Sequence, residues 1–163
     1  MAHVESNAKR LVSVFPLYLL LIGIMACKPD DAMPSDSISR DTTAITDNRL
    51  LIRVGQRTFT ATLLTNATAT AFKARLPLTL SMQELNGNEK YGELTPGLPT
   101  GATNPGTIQT GDLMLYGSGT LVLFYETFRT TYSYTRIGRI DNPAGLAAAL
   151  GAGRTTVTFD LAN

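Results

Sequence analysis

Residues 76–94 read LPLTLSMQELNGNEKYGEL, and their pattern decides what fold the chain can adopt. Leu78, Leu80 and Met82 fall on one side of an alternating run, as in a strand with one apolar face. Asn86-Gly87 is the pair best suited to a type I′ hairpin turn, and KYGEL continues outward as the partner strand.

The same pattern extends in both directions. Upstream, LLIRV (50–54), Gly55-Gln56 and RTFTATL (57–63) form a second hairpin. Phe59, Ala61 and Leu63 alternate with threonines, and Gly55 suits the first position of a type II′ turn. Between the hairpins, NATATAFKARLP predicts a short helix with Asn66 as N-cap. Its apolar stripe is Ala69, Phe72 and Leu76, and Pro77 stops it.

Downstream, residues 95–111 are a long Pro/Gly/Thr loop, compatible with a functional role or a passive rim. DLMLYG (112–117) and TLVLFYETF (120–128) flank a Gly-Ser-Gly turn. The unbroken LVLFY predicts a strand covered on both faces. TYSYTRIGRI (131–140) reads as a strand bulged near Gly138. Asp141 is then expected to cap a helix over NPAGLAAAL that Gly151 ends, and TTVTFDL (155–161) closes the chain. About eight short strands and two short helices result, and closing such a sheet removes its unpaired edges. The expectation is a mainly β protein, a closed barrel with two helices packed on it. Its core would hold Phe59, Phe72, Leu80, Leu115, Leu123, Ile137 and Phe159.

The first 26 residues read differently. Lys9 and Arg10 precede the apolar run Leu11–Ala26, a secretory signal rather than a membrane span. It ends in IMAC, which resembles the bacterial lipobox and makes Cys27 the expected site of lipid attachment. An acylated N-terminus holds a domain on a membrane without a spanning helix. Lys28 stands where an inner-membrane retention signal would carry aspartate, so the resemblance implies the outer membrane, facing the periplasm, in a diderm host. Residues 28–48 are rich in Asp, Ser, Thr and Pro and read as a flexible tether. Residues 49–163 form the folded domain.

Charge and composition narrow the chemistry. From Arg49 to Asn163 there are ten Lys/Arg and seven Asp/Glu, spread without a basic stripe, which argues against nucleic acid as a partner. The one histidine, His3, lies in the signal segment and the one cysteine is the anchor. The domain therefore has no Ser-His-Asp or Cys-His catalysis, no histidine-based zinc site and no disulfide. No metal or cofactor is expected. Gly151-Ala152-Gly153 is a helix stop rather than a phosphate loop, since no Lys-Ser/Thr follows it.

Three blocks in order are similar to the bacterial cyclophilin-like family: LPLTLSMQELNGNEKYGEL, PGTIQTGDLMLYGSGTLVLFYETF and SYTRIGRI followed by a Leu/Ala helix. More loosely, TATAFKARLP resembles the first helix of true cyclophilins. The resemblance implies a cyclophilin-type barrel and a groove that takes peptide. It also exposes a departure. Isomerising cyclophilins carry a Phe-His-Arg signature on the strand after that helix. The corresponding LTLSMQEL has neither histidine nor arginine, and no arginine lies between Arg75 and Arg129.

Two readings of the polar residues follow. In the first, Asn86, Asn88, Glu89 and Tyr91 line a groove, with Gly87 and Gly92 admitting a ligand and Lys90 facing solvent. Tyr132, Tyr134 and Arg136 then form an aromatic–cationic row on one strand face. In the second, the same residues are a decorated hairpin and a cross-strand aromatic pairing, with Arg136 bridging to Asp141 or a glutamate. The expected function is a tethered binding module for an extended peptide or small ligand. The alternative is a prolyl isomerase in which Arg129 or Arg136 supplies the missing cation.

Overall fold

A computed structural model describes residues 48–162. The expected signal segment, Cys27 and nearly all of the expected tether lie outside the described residues. Ten strands and two helices follow in order: β1 (Arg49–Val54), β2 (Arg57–Leu63), α1 (Ala67–Lys73), β3 (Leu78–Leu85), β4 (Glu89–Glu93), β5 (Thr107–Ile108), β6 (Asp112–Tyr116), β7 (Thr120–Phe124), β8 (Phe128–Arg129), β9 (Thr135–Ile140), α2 (Leu146–Leu150) and β10 (Thr155–Leu161). Eight strands close a barrel in the order β1-β10-β3-β4-β7-β6-β9-β2, every pair antiparallel. β5 and β8 form a separate two-stranded ribbon.

The turns explain the closure. Gly55 sits at φ 55° while Gln56 keeps an ordinary φ, as a type II′ turn requires. Asn86 and Gly87 are both left-handed, at φ 56° and 70°, and the Asn88 amide donates to the Leu85 carbonyl at 3.3 Å. That is the type I′ turn, followed by one extra residue before Leu85 pairs with Glu89.

Alternation then sorts residues between two apolar clusters. Leu50, Ile52, Phe59, Met82, Leu121, Leu123, Ile137 and Phe159 fill the interior, joined by Phe72 of α1 and by Leu146 and Leu150 of α2. Six of the seven expected core residues are buried, whereas Leu80 packs at the margin, partly exposed. Leu121 and Leu123 point inward. Val122 and Phe124 point outward into a second cluster with Ile108, Met114 and Tyr134, which Tyr91 and Phe128 flank. The run LVLFY is thus covered on both faces.

Asn66 caps α1, accepting from the Ala69 amide at 2.8 Å. α2 is shorter than expected and departs at its start. Gly145, not Asp141, precedes its first turn, and Asp141 instead accepts from the Thr62 hydroxyl at 2.7 Å. The β9 bulge falls beside Gly138. Gly138 pairs with Leu113 and Arg136 with Met114, leaving Ile137 as the extra residue. A Cβ on Gly138 would lie 2.5 Å from the Thr62 carbonyl oxygen, so the strands meet there only through glycine.

The long loop is pinned along its length. Arg75 donates to the carbonyls of Pro96 and Gly97, and the Thr68 hydroxyl donates to that of Pro99. Thr103 and Tyr134 exchange two backbone hydrogen bonds at 3.0 Å, which fixes the residue entering β9.

Candidate functional site

On the outer face of β4, β7 and β6 lies a cleft of about 380 Å³, bordered on one side by Phe128 of the β5–β8 ribbon. Strand period places Glu89, Tyr91 and Glu93 together on its wall, while Lys90, Gly92 and Leu94 turn inward. Asn86 and Asn88 border it from the turn, and Tyr116, Tyr132 and Tyr134 from the other side. The aromatic rings support one another. Tyr116 meets Tyr132 edge-on at 6.2 Å between centroids, and Tyr134 lies 5.6 Å from Tyr116 and 5.4 Å from Phe124.

Of the residues expected from sequence, Asn86, Asn88, Glu89, Tyr91, Tyr132 and Tyr134 converge on this cleft, and Arg136 does not. Arg136 pairs with Met114 further along β9, is exposed, and gives its carbonyl to the Asn66 side chain. The ion pair on this strand is made by Arg139, whose Nε lies 2.6 Å from buried Asp112. Arg129 is exposed and lines a neighbouring groove with Asn104 and Thr131. Tyr116, Glu93 and Thr120 complete the cleft. For Tyr116 the signal was available, because strand period puts it on the same face as Met114.

The expectation that Lys90 faces solvent is corrected. Lys90 is fully buried. Its ammonium donates to the carbonyls of Gly151 and Gly153 at 2.8 and 2.6 Å and lies 2.5 Å from Glu84 Oε2. Glu84 Oε1 accepts from the Tyr125 hydroxyl at 2.6 Å and from the Gly87 amide at 3.0 Å. Burial alone would raise Glu84, but bonds from Lys90 and Tyr125 and the lysine charge outweigh it and hold the carboxyl below its ordinary value. The Tyr125 phenol moves up, from burial and from donating to Glu84. Gly92 likewise faces Leu80 and Met82 rather than the cleft.

Glu89 is the opposite case. Only 8 % exposed, it has no hydrogen-bond or ion-pair partner among the described residues, and its carboxylate meets solvent only through the cleft. Burial, and then the neighbouring Glu84 charge, push it up from 4.5 to about 7. Tyr134 beside it is pushed up to about 12 by burial and by the Glu89 charge. A folded state that holds a proton the unfolded chain has lost becomes less stable as pH rises. Between about pH 4.5 and 7 the contribution of Glu89 therefore falls. Glu89→Gln should stabilise the protein at pH 8 by on the order of 1–3 kcal/mol and do nothing at pH 4. Urea unfolding at the two pH values checks this, and an equal effect at both would refute it.

These features place the chain in a class: a closed antiparallel barrel with an aromatic and acidic cleft on its outer wall. The cyclophilin-like family model matches residues 52–160, and the chain belongs to that family. Among solved structures it is similar to the solution structure of the hypothetical protein AF2241 from Archaeoglobus fulgidus. The TM-score is 0.55 and the identity 21 %, with 70 % of this chain and 94 % of that chain covered. At that identity the likeness speaks to fold alone. No curated protein matches the chain. Among the described residues no group of three or more carboxylate, histidine or cysteine side chains is arranged to hold a metal ion.

Proposed function

We propose that this chain is a membrane-tethered, extracytoplasmic binding module whose outer cleft holds an extended peptide or a small ligand, without appreciable prolyl isomerase activity. The observation that carries the reading is Glu89, buried without a partner in a cleft walled by tyrosines. An unpaired buried carboxylate costs stability, and a ligand that satisfies it recovers that cost. Isomerisation by the cyclophilin route needs a cation at the prolyl amide. The lining has two carboxylates and no cation, so Arg129 or Arg136 would have to move into the cleft to act.

Tyr132 is the test of binding. It is 63 % exposed at the mouth of the cleft, and its ring meets that of Tyr116 edge-on. As a recognition anchor it should contribute about 1–3 kcal/mol, so Tyr132→Ala should weaken peptide binding by that amount in calorimetry while the fold is kept. Unchanged affinity would leave the tyrosine as surface packing.

Attachment to the membrane rests on the sequence signal at Cys27. Cys27→Ser should release the protein into the soluble fraction without unfolding it. A serine variant that stays in the membrane and retains Leu11–Ala26 would make that segment a signal anchor instead.

A further inference from the structure

The ligand chemistry follows from what the cleft offers and what it lacks. Glu89 and Glu93 project from the same face of β4, and Glu93 is engaged by the Thr120 hydroxyl at 3.2 Å. Glu89 is engaged by nothing among the described residues, although it is over nine-tenths buried and lines the cleft. The negative charge of Glu84 behind it is already matched by Lys90 from inside the barrel. No cationic side chain lines the cleft, so the charge of Glu89 is left for a ligand to answer. Several tyrosines border the same space, and the face of an aromatic ring attracts a cation within roughly 6 Å. Leu85, Val122 and Phe128 add apolar wall.

We propose that the cleft recognises an organic cation on an apolar stem, a primary ammonium or a guanidinium, with Glu89 as counter-ion and the tyrosines as its surround. This deepens the binding reading above and rests on it. A neutral apolar ligand would leave the Glu89 carboxylate buried and unpaired, and an anion would be repelled by two carboxylates. The cation can arrive as the side chain of a lysine or arginine in an extended peptide, or as a free alkylamine. The shared chemistry is the charged nitrogen at the end of several methylenes, with the stem on the apolar wall and the nitrogen at Glu89.

The experiment uses the purified full chain. It has no tryptophan, and four of its six tyrosines, Tyr91, Tyr116, Tyr132 and Tyr134, line the cleft. Tyrosine fluorescence therefore reports binding there. The probes are a capped Gly-Ala-Lys-Ala-Gly peptide, the same peptide with arginine or norleucine in place of lysine, and 1,5-diaminopentane. The lysine or arginine peptide should bind roughly tenfold or more tightly than the norleucine peptide, and Glu89→Gln should abolish that difference. Diaminopentane binding as well as the peptides would assign the cation to free amines. Peptide binding without diamine binding would assign it to side chains, and either result supports the proposal. Equal binding of lysine and norleucine peptides at the cleft would overturn the cation proposal and leave the binding module standing. A lysine preference that survives Glu89→Gln would also overturn it. No response to any probe would overturn both.

Discussion

Lys90→Met should destabilise the protein by about 3–5 kcal/mol, read as a lowered urea midpoint with little change in slope. The ammonium is fully buried and bonded to two carbonyls and a carboxylate. Removing it leaves the Glu84 charge and the carbonyls of Gly151 and Gly153 without that donor. Methionine retains the apolar volume, so the loss reports the polar contacts rather than a cavity. Replacing Glu84 by Gln in that background should return part of the loss, because the stranded charge is gone. A loss below about 1 kcal/mol would mean that the lysine is not the clamp between β4 and the segment after α2.

Phe72→Ala is the second large effect, about 3–5 kcal/mol in the same measurement. Phe72 is fully buried and its ring meets Phe159 edge-on at 5.7 Å, tying α1 to β10. Truncation leaves a cavity between a helix and a strand that cannot collapse without reopening the barrel. The cost should be similar at pH 4 and pH 8, unlike that of Glu89→Gln, because no titrating group is involved.

Local chemistry made much of this fold legible in the sequence. Gly55, the Asn86-Gly87 pair and the Asn66 cap each act within four residues, so their turns and helix start could be read directly. The continuous LVLFY announced a strand with neighbours on both sides, and both clusters are there. Lys90 departs from the expected solvent face because its carbonyl partners at Gly151 and Gly153 lie 61 and 63 residues away. On an alternating strand a lysine ordinarily marks the solvent face, and only a distant loop delivering carbonyls makes it an inward residue. The same event turns Glu89 outward to the cleft, so one period-two choice governs both.

Arg136 parts from Tyr132 and Tyr134 for a different reason. Tyr132 lies outside β9, which begins at Thr135, and the loop at Thr103 holds Tyr134 against Tyr116 and Phe124 while Arg136 stays outside the cleft lining. Spacing alone carries no sign of that long-range bridge. Asp141 was likewise drawn from its expected cap by Thr62, a partner from another strand.

The central claim is that the outer cleft binds without catalysing prolyl isomerisation. Exchange NMR on a proline-containing lysine peptide, with and without the protein, reads both properties in one sample. Unaided cis–trans exchange takes tens of seconds, so even weak catalysis is visible. The expected result is saturable binding that shifts the cleft tyrosines, with the exchange rate unchanged. Rapid exchange that disappears in Arg129→Ala or Arg136→Ala would contradict the account and make the protein an enzyme.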